Sequence, residues 1–187
     1  MSKLIRLIFL GVVVSFLLIG CSSNNEESKE KVEQKEDVKV EANNDMPGIS
    51  GTQAYDIILS LEETGIEKPK TTIIDDGYSW NSVNSDYSYD IRANKDHEIG
   101  YASFMVLRGD DSYLGFCSTI PSEKVNTEEA REWVENNIGN ETEKVFGDAV
   151  YELSMGNLGA ILTIKSVDWD NYMDEKMKEE LRIEEEN

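Results

Sequence analysis

From Met46 onward the apolar positions follow first a helical and then an alternating period. Ala54, Ile57, Ile58 and Leu61 fall at helical spacing. Ser50 and Gln53 stand ahead of them at capping-box spacing and Gly65 follows, so a helix is predicted over about 51–64. The short runs Thr71–Ile74, Tyr78–Val83 and Tyr87–Arg92 are rich in β-forming residues. Asp75-Asp76-Gly77 and Asn84-Ser85-Asp86 divide them, which predicts antiparallel hairpins. Ile99–Leu107 is apolar on both alternating faces, as expected of a strand near the middle of a sheet. Gly109-Asp110-Asp111-Ser112 then turns the chain into Tyr113–Ile120, which reads as another strand.

A second helix is predicted to begin near Asn126 or Thr127, with Glu128 and Glu129 in a first turn that favours acids. Its stripe is Ala130, Trp133, Val134 and Ile138, ended by Gly139. Lys144–Met155, broken at Gly147-Asp148, and Leu158–Val167 complete the strands, with Gly156-Asn157 as the turn between them. The pattern predicts an α+β domain over 46–167: a single antiparallel sheet of about six strands with two covering helices. A C-terminal helix is expected in residues 168–187, where Trp169, Met173, Met177 and Leu181 recur four apart. Such a helix packs by its first half and leaves an acidic end in water; the alternative is a partner-binding helix.

The N-terminus has a different texture. Lys3 and Arg6 precede an apolar run from Leu7 to Ile19, the arrangement of a secretory signal. The run is shorter than the roughly 20 residues a membrane span needs. It ends in Leu18-Ile19-Gly20-Cys21. This tetrapeptide resembles the lipobox of bacterial lipoproteins, with Leu18, Ile19 and Gly20 matching the recognition residues and Cys21 the modified cysteine. The resemblance implies that residues 1–20 are a signal peptide removed by signal peptidase II. It also implies a diacylglyceryl group on the Cys21 sulfur and an acyl chain on the new amine. Two or more chains hold a protein stably on a bilayer, whereas one holds it only marginally. The expected location is the outer, extracytoplasmic face of the cell membrane.

The phrasing of the domain, above all Gly51–Gly65 and Thr127–Ile138, is similar to small uncharacterised lipoproteins of Gram-positive bacteria, a likeness that brings no activity with it.

Charge narrows the partners. The chain carries 38 acids and 18 bases, a formal net charge of −20. Loss of Lys3 and Arg6 with the signal peptide takes this to −22. A nonspecific nucleic-acid binder needs a basic face, so no nucleic-acid partner is expected. The same charge argues against a polybasic membrane patch. Acids and polar residues dominate 21–45, which has no aromatic residue. Such a segment buries too little surface to fold, and it is read as a disordered acidic tether below the lipidated cysteine. Fully stretched it reaches about 80 Å.

With Cys21 lipidated, Cys117 has no intrachain partner, and a buried, inert thiol is expected. No cofactor is expected beyond the covalent lipid. No Cys/His cluster has zinc spacing, and no P-loop, GxGxxG or GxSxG motif occurs. The carboxylate pairs Asp75-Asp76, Asp110-Asp111 and Asp168/Asp170 match no calcium loop, so no catalytic residue and no metal ligand is assigned. The candidate ligand surface is the hairpin Gly77–Asp90, where Tyr78 and Trp80 alternate along one strand and Tyr87 and Tyr89 along the next. Aromatic faces beside Asn and Ser suit sugar rings; the competing reading is one face of a core, with cross-strand pairs of about 0.2–1 kcal/mol each.

The expectation is a membrane-anchored, non-enzymatic binding or interaction module, facing a cell-wall glycan or another surface protein. The alternatives are a wall-polymer hydrolase using a carboxylate pair, and a regulatory or immunity-type lipoprotein acting on a protein partner.

Overall fold

The computed structural model describes residues 45–63 and 65–185. The signal segment, Cys21 and all of the tether but Asp45 lie outside them. The elements in chain order are α1 (Ala54–Glu63), β1 (Thr72–Ile74), β2 (Gly77–Val83), β3 (Tyr87–Asn94), β4 (Ile99–Val106) and α2 (Ser112–Cys117). There follow α3 (Thr127–Asn137), β5 (Thr142–Phe146), β6 (Ala149–Met155), β7 (Ala160–Ser166) and α4 (Trp169–Glu185).

The strands form one open antiparallel sheet in the order β1-β2-β3-β4-β7-β6-β5. The fold is therefore α+β, with seven strands and, among the described residues, four helices. The first four strands run as a meander. The chain then crosses through α2 and α3 to the far edge and returns strand by strand, so that β7 closes on β4.

Alternation sets the two faces. Register places Trp80 opposite Ile91 and Tyr78 opposite Ala93, with Phe104 opposite both Tyr89 and Leu162. These residues join Ile57, Ile58 and Leu61 of α1, Leu114 and Cys117 of α2, and Ala130 and Val134 of α3 in one hydrophobic core. Full burial of such a side chain contributes roughly 1.5–3 kcal/mol. The other face carries polar rows, among them Asp90, Ser103, Thr163 and Glu152, which are neighbours across four strands.

Two expectations are corrected. Tyr113–Ile120 is not a strand: Ser112–Cys117 is helical. The Asp110 carboxylate accepts the Ser112 N–H at 2.7 Å, and the Tyr113 and Leu114 N–H groups bond back to the carbonyls of Asp110 and Asp111. The buried residues 113, 114 and 117 then share one helical face. Ser50 and Gln53 form no capping box, because the Ser50 hydroxyl donates to Asp148 at 2.6 Å and α1 begins at Ala54. The sheet has seven strands because Gly147 and Asp148 break the Lys144–Met155 run into β5 and β6.

The second predicted helix does begin where its cap is: the Asn126 side chain accepts the Glu129 N–H at 3.3 Å.

Candidate functional site

The aromatic hairpin is built into the core, not displayed. Trp80 is 1% exposed and its indole N–H donates to the Thr71 hydroxyl at 2.9 Å. Tyr89 is also buried, and burial pushes its hydroxyl up to about 12, with Glu62 adding to the effect. Tyr78 stacks on His97 at 4.4 Å between ring centroids, and Tyr87 packs on Tyr113 at 4.3 Å. Of the two readings of the hairpin, this burial favours the core face over a flat row of rings for a sugar. The alternation that suggested it is the alternation of a core face.

Cys117 is a free, buried thiol. Burial pushes its pKa up, and the neighbouring Tyr113 hydroxyl opposes that only in part. A thiol held protonated in this way is a poor nucleophile. Asp110 starts α2 and Asp170 bonds Lys165 through both oxygens, at 2.9 and 2.8 Å, so these acids serve local structure.

The concave surface of the domain lies around α4. The helix starts where Trp169 stacks on Tyr101 at 5.2 Å, on the polar face of the sheet. Gly100 makes this contact possible. A β-carbon there would stand 2.6 Å from the Pro47 carbonyl oxygen and 3.0 Å from the Trp169 ring. Two turns on, the helix is fastened to the β1–β2 turn, where Asp76 accepts hydrogen bonds from Tyr172 at 2.6 Å and from the Lys176 ammonium. Burial alone would raise the Asp76 carboxyl, but Lys176 and Tyr172 overcome it and leave the group below the usual carboxylate range. Burial would likewise lower Lys176, and Asp76 reverses this, so its pKa is raised.

Held this way, α4 is a ridge between two hollows. On one flank is a cleft of about 610 Å³, lined by Asp45, Asp76, Asp96, Asp168, Glu175 and Glu179 together with Asn94, Asn171, Tyr172 and Lys176. On the other flank is a groove of about 460 Å³. Its floor is apolar, with Ile73, Ile74, Met46, Trp169 and Met173, and Arg92, Asp75, Lys176 and Glu180 stand around it. The first hollow is rimmed by acids, and the second sets apolar side chains beside two acids and two bases. Among the described residues no group of three His, Cys, Asp or Glu is placed to hold a metal ion, and no helix is long and apolar enough to cross a membrane.

The sequence reading found α4 and its stripe but not its attachment. Asp76 stands in the sequence as half of a turn pair, and Lys176 lies 100 residues away from it. No local pattern carries that pairing. The weak signal was Trp169 itself, a large ring at the start of a helix whose remaining stripe is acidic on both sides.

No protein-family model matches the chain, no curated protein matches it in sequence, and no solved structure matches its fold.

Proposed function

We propose that the chain is a lipoprotein held by lipid at Cys21 on the outer face of the cell membrane, and that its folded domain is a non-enzymatic binding or interaction module. The lipobox Leu18-Ile19-Gly20-Cys21 after a charged and then apolar leader supports the anchor. The acidic segment up to Asp45 acts as the tether that lifts the domain off the bilayer.

The observation that carries the interaction reading is the ridge of α4 with a hollow on each side. It is a concave surface that joins apolar side chains to a set of charged ones. Apolar concavity with a few convergent polar groups is the usual form of a binding site. Trp80 and Tyr89 are buried, so the hairpin does not offer these rings to a ligand.

The test uses cells expressing the full chain. Metabolic labelling with a fatty-acid probe should mark the wild-type protein and miss Cys21→Ser; equal labelling of both would remove the anchor. Cross-linking in intact cells should then give discrete heavier species containing the chain. If the purified chain instead releases soluble fragments from cell-wall sacculi, the module is an enzyme and the reading is wrong.

A further inference from the structure

The apolar stripe of α4 does not stay on the domain. Residues four apart advance about 400° at roughly 100° per residue, so each step of Trp169, Met173, Met177, Leu181 moves about 40° around the helix. Trp169 is buried, Met173 is half-buried, and Met177 and Leu181 are 56% and 57% exposed. The stripe thus winds off the floor of the groove and onto the open flank of the ridge. Across the groove, Ile74 on the edge strand β1 is half-buried. Large apolar side chains gathered on one open flank mark an interaction site more often than single ones do.

The charge beside the stripe is one-sided. The sector of the helix from Glu180 round to Asp174 spans about 120°. It holds Met173, Met177 and Leu181 among acids, while the three bases of the helix, Lys176, Lys178 and Arg182, all lie outside it. Lys176 is turned to Asp76, and Lys178 bonds Glu175 at 2.7 Å. An anionic lipid surface or a nucleic acid would meet mostly like charge on this sector, with Arg92 and Lys176 the bases at the groove beside it. A matching occupant presents apolar side chains for the stripe and bases for its acidic margins.

On the reading of the domain as an interaction module, we propose that the Met173–Leu181 flank of α4 and the groove beneath it dock a cationic amphipathic helix of a partner protein. A helix fits better than an extended strand, because stripes of residues four apart are the ridges by which helices pack. The stripe from Met173 to Leu181 is about 12 Å long at 1.5 Å per residue, so two to three turns of partner cover it.

The test uses the full chain in nanodiscs of zwitterionic lipid, with empty discs as the blank. The probe is a fluorescent 18-residue peptide of Leu and Lys patterned as an amphipathic helix. Its control has Glu in place of Lys. Anisotropy should show the Leu/Lys peptide binding and the Leu/Glu peptide not. Met177→Ala with Leu181→Ala keeps the helix, since Ala is the best helix former, and should weaken binding at least tenfold. Asp174→Asn with Glu180→Gln should weaken it and flatten its salt dependence. Val145→Ser, an equally exposed apolar site on edge strand β5, should change nothing. If all variants bind alike, the attraction is only the general negative charge and the assignment to α4 is overturned. If the peptide fails but the anchored chain still gives discrete cross-linked species in cells, the α4 surface is wrong and the interaction module stands. Failure of both removes both.

Discussion

Asp76, in the turn joining β1 to β2, accepts a hydrogen bond from the Lys176 ammonium two turns into α4, across 100 residues of chain. Together with the Trp169–Tyr101 stack, this bond fixes the direction of the helix, and hence which of its flanks is open. Lys176 is about a third exposed and Asp76 less so, which discounts the pair for solvent screening. Asp76→Ala should cost on the order of 1–2 kcal/mol, the usual range for a hydrogen bond to a charged group in such a setting. Amide exchange should accelerate over residues 172–183 and stay slow in β3 and β4. Equal protection of α4 in the variant would show that Trp169 alone holds it.

The same pair gives α4 a pH window, and loss of the Asp76 carboxylate should flatten both of its limbs. Asp76 has a folded pKa below its unfolded value of about 3.9, so its contribution is complete above that value. It is lost as pH falls through the lower folded value. Lys176 is raised above about 10.4, so its contribution is complete below that and lost as pH rises through the higher folded value. Attachment of α4 should therefore be constant between about pH 5 and 10 and weaken at both ends. Asp148 is also lowered: burial opposes it, and bonds from Ser50 and Lys124 prevail. Global stability should fall in acid for both reasons. Asp76→Asn should flatten the acid and the alkaline limb read by Trp169 quenching and leave the Asp148 contribution in place.

Gly100 supports a sharper expectation. The Pro47 carbonyl and the Trp169 ring leave no room for a methyl group, and the nearer obstacle is backbone, which does not swing aside. Gly100→Ala should destabilise the domain by roughly 1–3 kcal/mol, the range for overpacking. Trp169 emission should shift to the red as the ring lifts off Tyr101. An unchanged spectrum and midpoint would mean that the segment around Pro47 gives way freely.

The strands were legible because each carries the alternation of a half-buried sheet and is bounded by Gly, Asn or Asp turns. Gly147-Asp148 marked the β5–β6 break for the same reason. Ser112–Cys117 was illegible as a helix: six residues with apolar side chains at 113, 114, 116 and 117 fit both periods. The Asp110 carboxylate, which turns the chain by accepting the Ser112 N–H, favours the helix. The Ser50 cap was misread because its true acceptor, Asp148, is 98 residues distant. For the candidate site, the stripe of α4 was legible and its precession follows from helix geometry. The hollows beside it are not written locally, because Met46, Ile73, Arg92 and Met173 meet only after the sheet has formed.

Trp80 separates a core ring from a ligand ring by what its loss does. Trp80→Ala should cost about 3–5 kcal/mol, as for large aromatic deletions in a core. Trp80→Phe keeps most of the packing but drops the bond to Thr71 and should cost less. Loss of glycan retention at unchanged stability is the outcome that would return the hairpin to the surface.

Thiol counting tests the core and the anchor together. Cys117 is buried with its pKa pushed up, so it should resist iodoacetamide at pH 8 in the folded chain. Mutations that loosen α2 should speed its labelling in proportion to the open population. After denaturation, the membrane-extracted protein should take up one equivalent of reagent, from Cys117, because a thioether at Cys21 cannot react. Two equivalents would mean that Cys21 is a free thiol and that no lipid is attached there. Rapid reaction of the folded chain with one equivalent would instead place Cys117 within reach of solvent. The three results are distinct, and Cys117→Ala identifies which sulfur was counted.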